Sequence, residues 1–314
     1  MDRKSVSLLI PCYNEEQCLS SLFEAIEPVC TQCAEIEWTL IFVNDGSRDA
    51  TKTVLQHYLR DSTSWCHGKI IDLSRNFGKE AALIAGLDYC QADACIIMDA
   101  DLQDPPELIP AMVSKWLEGA QIVSARRDDR RSDGPLKRLT AQSFYKVFRQ
   151  TSKLDIEIDA SDFRLLDKVV IEAIRNCRES VRFTKGFFAW AGFSSACVDY
   201  ARPKRLHGTT KWGGWKLWNY ALDGIFNFST VPLRIWSYVG LTVTLLSFLL
   251  AAKIFLQVLL NGVDAPGYAS IFIAVTFLGG IQLMGIGIIG EYLGRTYIES
   301  KRRPIYLVKD LFDS

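Results

Sequence analysis

The sequence predicts an α/β domain with a parallel-rich sheet, followed by a pair of membrane-spanning helices. Three observations predict it. Short apolar runs alternate with helical stretches through the first part of the chain. Polar, acidic motifs follow those runs directly rather than interrupting them. Two apolar segments then come in succession, each long enough to cross a hydrocarbon core as a helix.

Taken in order, residues 6–10, 38–43, 70–73, 94–98 and 121–124 are short, apolar-rich runs, as expected of buried parallel strands. Between them, residues 16–29, 50–59, 79–90 and 106–117 carry helical patterns. Strand–helix alternation at this spacing predicts a layered α/β fold. Ligands of such sheets bind outside the carboxyl ends of the strands. The loops after Ile10, Val43, Leu73 and Met98 should therefore surround one crevice, and these are the loops that hold the polar motifs.

From about Ile235 the composition changes. Residues 235–260 are almost wholly apolar, interrupted by Lys253 and Gln257, and residues 269–289 form a second apolar run. The connector, 261–267, carries Asp264 and Pro266 but no Lys or Arg. Arg234 flanks one side, with Arg295, Lys301, Arg302 and Arg303 on the other. The positive-inside rule then puts both ends in the cytoplasm, and Lys253 is expected to snorkel to the far interface. Residues 212–236 are dense in Trp and Phe and suit a helix lying in the interface. Residues 135–149 are a second amphipathic candidate, read equally well as a core-packed surface helix. The expected division is a cytosolic catalytic domain at 1–210, an interfacial segment at 211–233, two spans within 234–293 (about 235–260 and 268–292), and a cytosolic tail at 294–314. Residues 304–309 could add a further strand. No secretory signal is expected, because Met1-Asp2-Arg3-Lys4 leads straight into a strand.

Net charge is +0, which leaves no electrostatic footprint of a nucleic-acid binder. Cys30 and Cys33 form a lone C-x-x-C without a second ligand pair, so the nine cysteines are expected to be reduced.

The chemistry gathers at the strand ends. Met98-Asp99-Ala100-Asp101-Leu102-Gln103-Asp104 follows a buried strand. Two carboxylates one residue apart suit a hard divalent cation, because Mg²⁺ and Mn²⁺ prefer oxygen and bridge carboxylates to phosphates. A solvated acidic turn is the competing reading. Pro11-Cys12-Tyr13-Asn14-Glu15-Glu16 and Val43-Asn44-Asp45-Gly46-Ser47-Arg48-Asp49 follow the first two strands. They offer an aromatic face for a base, and carboxylates for its N–H and a ribose hydroxyl. No G-x-G-x-x-G or G-x-x-x-x-G-K-[ST] stands at these turns, so neither a dinucleotide site nor a P-loop is supported. Arg126, Arg127, Arg130 and Arg131 read either as a solvated loop or as a lure for anionic lipid phosphate. His207 reads as a loop residue rather than a metal ligand.

These strings, with S-R-N-F-G-K-E-A-A-L, Ser161-Asp162-Phe163-Arg164-Leu165-Leu166 and Arg205-Leu206-His207-Gly208-Thr209-Thr210-Lys211-Trp212, resemble family-two inverting glycosyltransferases of GT-A fold. The likeness is greatest to the polyprenyl-phosphate branch, that of bactoprenol glucosyltransferases and dolichol-phosphate mannose synthases, and it covers nearly the whole chain. It implies that Pro11, Tyr13, Glu15, Val43 and Asp45 hold the nucleoside, with Lys79 and Ala100 also in the substrate site. It implies Asp99, Asp101 and Gln103 at a Mg²⁺ or Mn²⁺ ion and the diphosphate, and Arg126 and Arg138 at phosphate. Arg205 and Lys211 would stabilise the leaving group, and Asp101 would act through the metal. Asp162 would orient the acceptor or take a residual proton, although a helix N-cap is its structural alternative. The implied reaction is hexose transfer, with glucose from UDP-glucose leading, to polyprenyl (undecaprenyl) phosphate at the bacterial inner membrane. GDP-mannose or a modified arabinose donor stays open. A flippase, later glycosyltransferases and further copies of the chain are the implied partners, with Gly279, Gly280, Gly285, Gly287 and Gly290 suited to close helix packing. A processive polysaccharide synthase is disfavoured, since only two spans and no Q-x-x-R-W are present. A non-catalytic scaffold is the remaining rival.

Overall fold

The computed structural model describes residues 3–61, 65–127, 160–179, 184–200, 229–261 and 267–313. Arg138, Arg205, His207, Lys211 and the segments 135–149 and 212–228 lie outside the described residues. The chain divides into two compact units, Met1–Gly224 with Arg303–Ser314, and Ile225–Arg302.

The first unit opens with strand β1 (Lys4–Cys12), helix α1 (Glu16–Gln32), β2 (Ile36–Asn44), α2 (Thr51–Asp61), β3 (Cys66–Leu73), α3 (Lys79–Tyr89) and β4 (Ala94–Ile97). After the short turn Pro106–Leu108 come α4 (Ile109–Leu117), β5 (Ile122–Arg127), β6 (Ala160–Asp167), α5 (Lys168–Asn176), α6 (Thr184–Ala191) and β7 (Ser195–Tyr200). Strand β8 (Val308–Asp313) completes the unit. The eight strands lie in the order β7-β5-β6-β4-β1-β2-β3-β8. β1 pairs parallel with β2 and β4, and β2 with β3, as the apolar runs predict. β6 is antiparallel to both β4 and β5, and β8 to β3, so the sheet is mixed.

The central strands are mostly apolar because both of their faces are covered. Leu8, Ile10, Leu40, Phe42 and Ile96 meet α1, α2 and α4 through Leu19, Leu22, Leu55, Met112 and Trp116. Their alternates Leu9, Ile41, Val43, Ile71 and Ile97 meet α3 and α5 through Ala82, Ile84, Val170 and Ile174. At Gly86 α3 touches the sheet: a Cβ there would lie 2.0 Å from Leu9 Cδ1.

One sequence alternative falls away and one expectation shifts. Asp162 stands inside β6 and is no helix cap; Asp167 caps α5, its Oδ1 accepting from Val169 N at 3.0 Å. The tail strand forms, but at Val308–Asp313 rather than 304–309, because the residues before it are used differently. Leu307 O accepts from Ser74 N at 2.9 Å, and the Tyr306 hydroxyl donates to Asp88 Oδ2 at 2.6 Å. All nine cysteines are free thiols.

The second unit is helical. α7 (Val231–Asn261) and α8 (Tyr268–Ser300) are each long and apolar enough to cross a membrane. Large side chains such as Phe248, Leu259 and Leu283 are exposed along them. α8 runs beyond 293, where the sequence placed the end of the span. The helices meet at Gly285, where a Cβ would lie 1.9 Å from Trp236 Nε1, and the Tyr292 hydroxyl donates to Ser229 O at 2.7 Å.

Candidate active site

The loops leaving β1 and β2 are laced together. Asp45 N donates to Cys12 O at 2.9 Å, and Asn14 Oδ1 accepts from Arg48 N at 2.8 Å. Glu15 N donates to Thr51 Oγ1 at 3.0 Å, and Glu16 Oε2 accepts from Ala50 N at 2.8 Å. Asn14 turns the chain in a left-handed conformation (φ 54), which Asn tolerates better than most residues. Pro11, Tyr13 and Glu15 are thus fixed on one rim, with Tyr13 exposed, while Val43 lies buried beneath.

Asp45 is buried, and both its oxygens are engaged: Oδ1 accepts from Phe77 N at 2.7 Å and Oδ2 from Gly78 N at 2.9 Å. Burial pushes its pKa up, against the pull of those two N–H groups. Its visible role is to hold the loop after β3, which leads into α3. Behind it, Asp72 Oδ1 accepts from Asn44 Nδ2 at 2.7 Å, and Lys52 Nζ bridges Asp72 (2.7 Å) and Asp310 of β8 (3.0 Å).

At the end of β4 the D-A-D motif meets Lys79. The Lys79 ammonium lies 2.7 Å from Asp99 Oδ1, 2.8 Å from Asp99 Oδ2 and 2.9 Å from Asp162 Oδ2. Burial would lower the Lys79 pKa, but the two carboxylates overcome it and raise it. Burial raises that of Asp99, with Lys79 pulling the other way. Ala100 is buried, and Leu102 takes a positive φ of 52, so the chain turns sharply between the motif residues. Asp101 accepts from both the backbone and the side-chain amide of Gln103. Among the described residues no three acidic, His or Cys side chains converge as a ready metal cage. The donor set nonetheless fits a hard divalent ion: all its oxygens lie on one turn, and a side-chain cation already sits against Asp99.

The structure therefore brings Lys79, Asp99 and Asp162 together, with Asp101 and Gln103 on the same turn as Asp99. Arg126, in register with Ala160 of β6 near the end of β5, is held in an exposed ion pair with Asp199 of β7 at 2.6 Å and 2.9 Å, which a phosphate would have to displace. That pair holds the Asp199 carboxyl below its usual range. Two contacts escape sequence reading. Arg164 is buried, donates to Ser161 O at 3.1 Å and lies 4.6 Å over the Phe188 ring, bracing the strand next to Asp162. Buried Asp104 accepts from the Tyr200 hydroxyl. Asp104 stands in the acidic string and was visible there, but nothing in the sequence pairs it with a tyrosine nearly a hundred residues away.

The profile of glycosyl transferase family 2 matches residues 7–175, a stretch that runs from within β1 into α5 and includes Lys79, Asp99, Asp101, Gln103 and Asp162. An uncharacterized glycosyltransferase of Synechocystis sp. is 49% identical over 308 residues, covering 98% of this chain and 95% of the relative. The bactoprenol glucosyl transferase of Shigella phage SfV is 44% identical over 307 residues, covering 97% of this chain and 98% of its own. Among solved structures, glucosyl-3-phosphoglycerate synthase from Mycobacterium tuberculosis, in complex with Mn²⁺, UDP-glucose and phosphoglyceric acid, has a TM-score of 0.49 at 19% identity. It covers 71% of this chain and 78% of its own, a likeness too slight to argue from. With a GT-A-like mixed sheet, an acidic cluster at the strand ends and relatives matched from end to end, this chain is a glycosyltransferase and belongs to glycosyl transferase family 2.

Proposed function

We propose that this enzyme transfers glucose, with inversion, from UDP-glucose to polyprenyl phosphate at the cytoplasmic face of a bacterial inner membrane. The observation that carries this reading is the 44% identity to a bactoprenol glucosyl transferase over 97% of the chain, apolar helices included. Pro11, Tyr13, Glu15 and Asp45 would hold the nucleoside, Tyr13 by its exposed ring. Glycosyl transfer passes through an oxocarbenium-like state while negative charge grows on the departing diphosphate. Mg²⁺ or Mn²⁺ held by Asp99, Asp101 and Gln103 would supply Lewis-acid neutralisation of that charge. Arg126, Arg138, Arg205 and Lys211 would add donors to the phosphates, arginine through paired hydrogen bonds.

Asp162 would orient the acceptor. A phosphate monoester has its second pKa near about 6, so the nucleophile is already anionic and needs little help from a base. The two apolar helices would keep the lipid acceptor within reach of the cytoplasmic domain. Their flanking basic residues, and a connector without Lys or Arg, support two spans with both ends inside. Glycines 279, 280, 287 and 290 face open space along α8 and support packing against further copies. A flippase and later glycosyltransferases would take up the product.

The test is a transfer assay in detergent. Short-chain polyprenyl phosphate and Mg²⁺ or Mn²⁺ are combined with labelled UDP- and GDP-sugars, and Asp101→Ala runs alongside. Metal-dependent labelling of the lipid from UDP-glucose, lost in the variant, supports the proposal. Labelling from a GDP-sugar alone would replace the donor, and no labelling despite nucleotide-sugar binding would replace the acceptor.

A further inference from the structure

Lys79 is the first residue of α3, where a positive charge runs against the helix dipole. It is held there by Asp99, through both oxygens, and by Asp162. One ammonium thus ties together two carboxylates from different strands, one leaving β4 and one on β6. Asp99 is also the residue that the metal assignment requires. A divalent ion taking an oxygen of Asp99 and the Lys79 ammonium would press two cations onto one carboxylate.

We propose that Lys79 is a built-in counter-ion that competes with the divalent metal for Asp99, so that metal enters tightly only together with the nucleotide diphosphate. The inference rests on the metal assignment above and adds to it an order of binding. In the empty site Lys79 neutralises Asp99 and Asp162, which would otherwise repel each other. A metal arriving alone has to displace the ammonium from Asp99 with no anion to receive it. A metal arriving with a diphosphate brings that anion, and Lys79, still bonded to Asp162, can turn to a phosphate oxygen. Metal and nucleotide then bind with positive coupling, which by linkage is reciprocal. The enzyme would also leave free Mg²⁺ or Mn²⁺ largely unbound until a donor is present.

The loop leading to Lys79 fits such a role. Asp45 fixes the backbone of Phe77 and Gly78, so the residue next to them starts from a defined position. The ammonium has only its own side chain to move. Half-exposed, with 35% of the side chain accessible, it has room to do so.

The experiment titrates Mn²⁺ into the full chain in detergent, following free Mn²⁺ by electron paramagnetic resonance, with and without UDP. Mildly alkaline buffer keeps both carboxylates ionised. Wild type should bind Mn²⁺ weakly alone and at least about tenfold more tightly with UDP, within the usual range of coupling factors. Lys79→Met and Lys79→Gln should each bind Mn²⁺ alone about tenfold more tightly than wild type, with UDP adding little. Lys79→Arg, which keeps the charge, should behave like wild type. Using two neutral variants prevents a folding defect in one from deciding the result. If both neutral variants keep wild-type Mn²⁺ affinity and coupling, or bind Mn²⁺ more weakly, the competition does not exist. If wild type binds no Mn²⁺ even with UDP, the metal assignment itself fails, which is a separate result.

Discussion

Replacing Gly46 with alanine tests whether the loops after β2 and β3 form one rigid body. Gly46 has a φ of 65, and a Cβ there would lie 2.4 Å from the Arg75 carbonyl carbon and 2.6 Å from Asn76 N. Ordinary contact begins near 3.4 Å, so the Arg75–Asn76 peptide would have to retreat by about 1 Å. It has little freedom to do so: Phe77 N and Gly78 N are bonded to Asp45 on one side, and Ser74 N to Leu307 O on the other. Left-handed backbone costs alanine about 1 kcal/mol, and forced overpacking about 1–3 kcal/mol more. The expected loss of stability is therefore about 2–4 kcal/mol. Gly192→Ala is the control, since Gly192 has nearly the same φ (68) with nothing within 4 Å, and it should show the backbone part alone. Thermal unfolding of both variants in detergent separates the two contributions. The transfer rate gives a second reading, because Lys79 follows this loop and a displacement of about 1 Å near the chemistry can lower rate by about a hundredfold. If Gly46→Ala melts with Gly192→Ala and turns over like wild type, the loops yield easily and the argument for rigidity is wrong.

Three further outcomes are expected. Asp45→Ala leaves Phe77 N and Gly78 N without their acceptor and should destabilise by about 2 kcal/mol, after the relief of a buried charge is set against two charged hydrogen bonds; an unchanged melting temperature would mean water substitutes for the carboxylate. Asp93 accepts from Ser5 N (3.0 Å) and Ser5 Oγ (3.2 Å), which lower its pKa, so its contribution is present above the ordinary carboxylate range and lost as pH falls through the lowered value. Asp93→Asn should be less stable at neutral pH but lose less on acidification, and an acid limb parallel to wild type would contradict this. Gly86→Ala drives a Cβ to 2.0 Å from Leu9 Cδ1 and should cost about 1–3 kcal/mol; combined with Leu9→Ala it should recover part of that loss, whereas strict additivity would show that the two do not touch.

Much of the catalytic unit was legible in the sequence because its central strands are buried on both faces. Runs such as Leu8–Leu9–Ile10 and Leu40–Ile41–Phe42–Val43 have no competing periodicity, and the acidic motifs sit where such strands must end. β6 and β7 were not legible. β6 carries Ser161, Asp162 and Arg164 among its apolar residues, and buried Arg164 is received by the Ser161 carbonyl and by the ring of Phe188, the latter remote in sequence from the strand. The meeting of Lys79 with Asp99 and Asp162 shows the same limit. Motif strings assigned each to the substrate site separately, but the ion pairs depend on β4 and β6 lying side by side in antiparallel register, a pairing that no local spacing encodes.

Strand β8 also bears on how this protein is made. In the linear order of the chain, the apolar helices are an insertion within the catalytic unit rather than an appendage to it, because residues beyond them return to pair with β3. A ribosome must therefore release both hydrophobic segments, and residue 313 after them, before the eighth strand can join. Until then β3 is an open edge, the kind of surface along which nascent chains stick to one another. Cutting the protein ahead of α7 to obtain a soluble enzyme would make that temporary exposure permanent. It would also remove Asp310 from Lys52 and the Tyr306 hydroxyl from Asp88. A water-soluble version of this enzyme should instead keep residues 303–313, rejoined to residue 224 by a flexible linker in place of the helices.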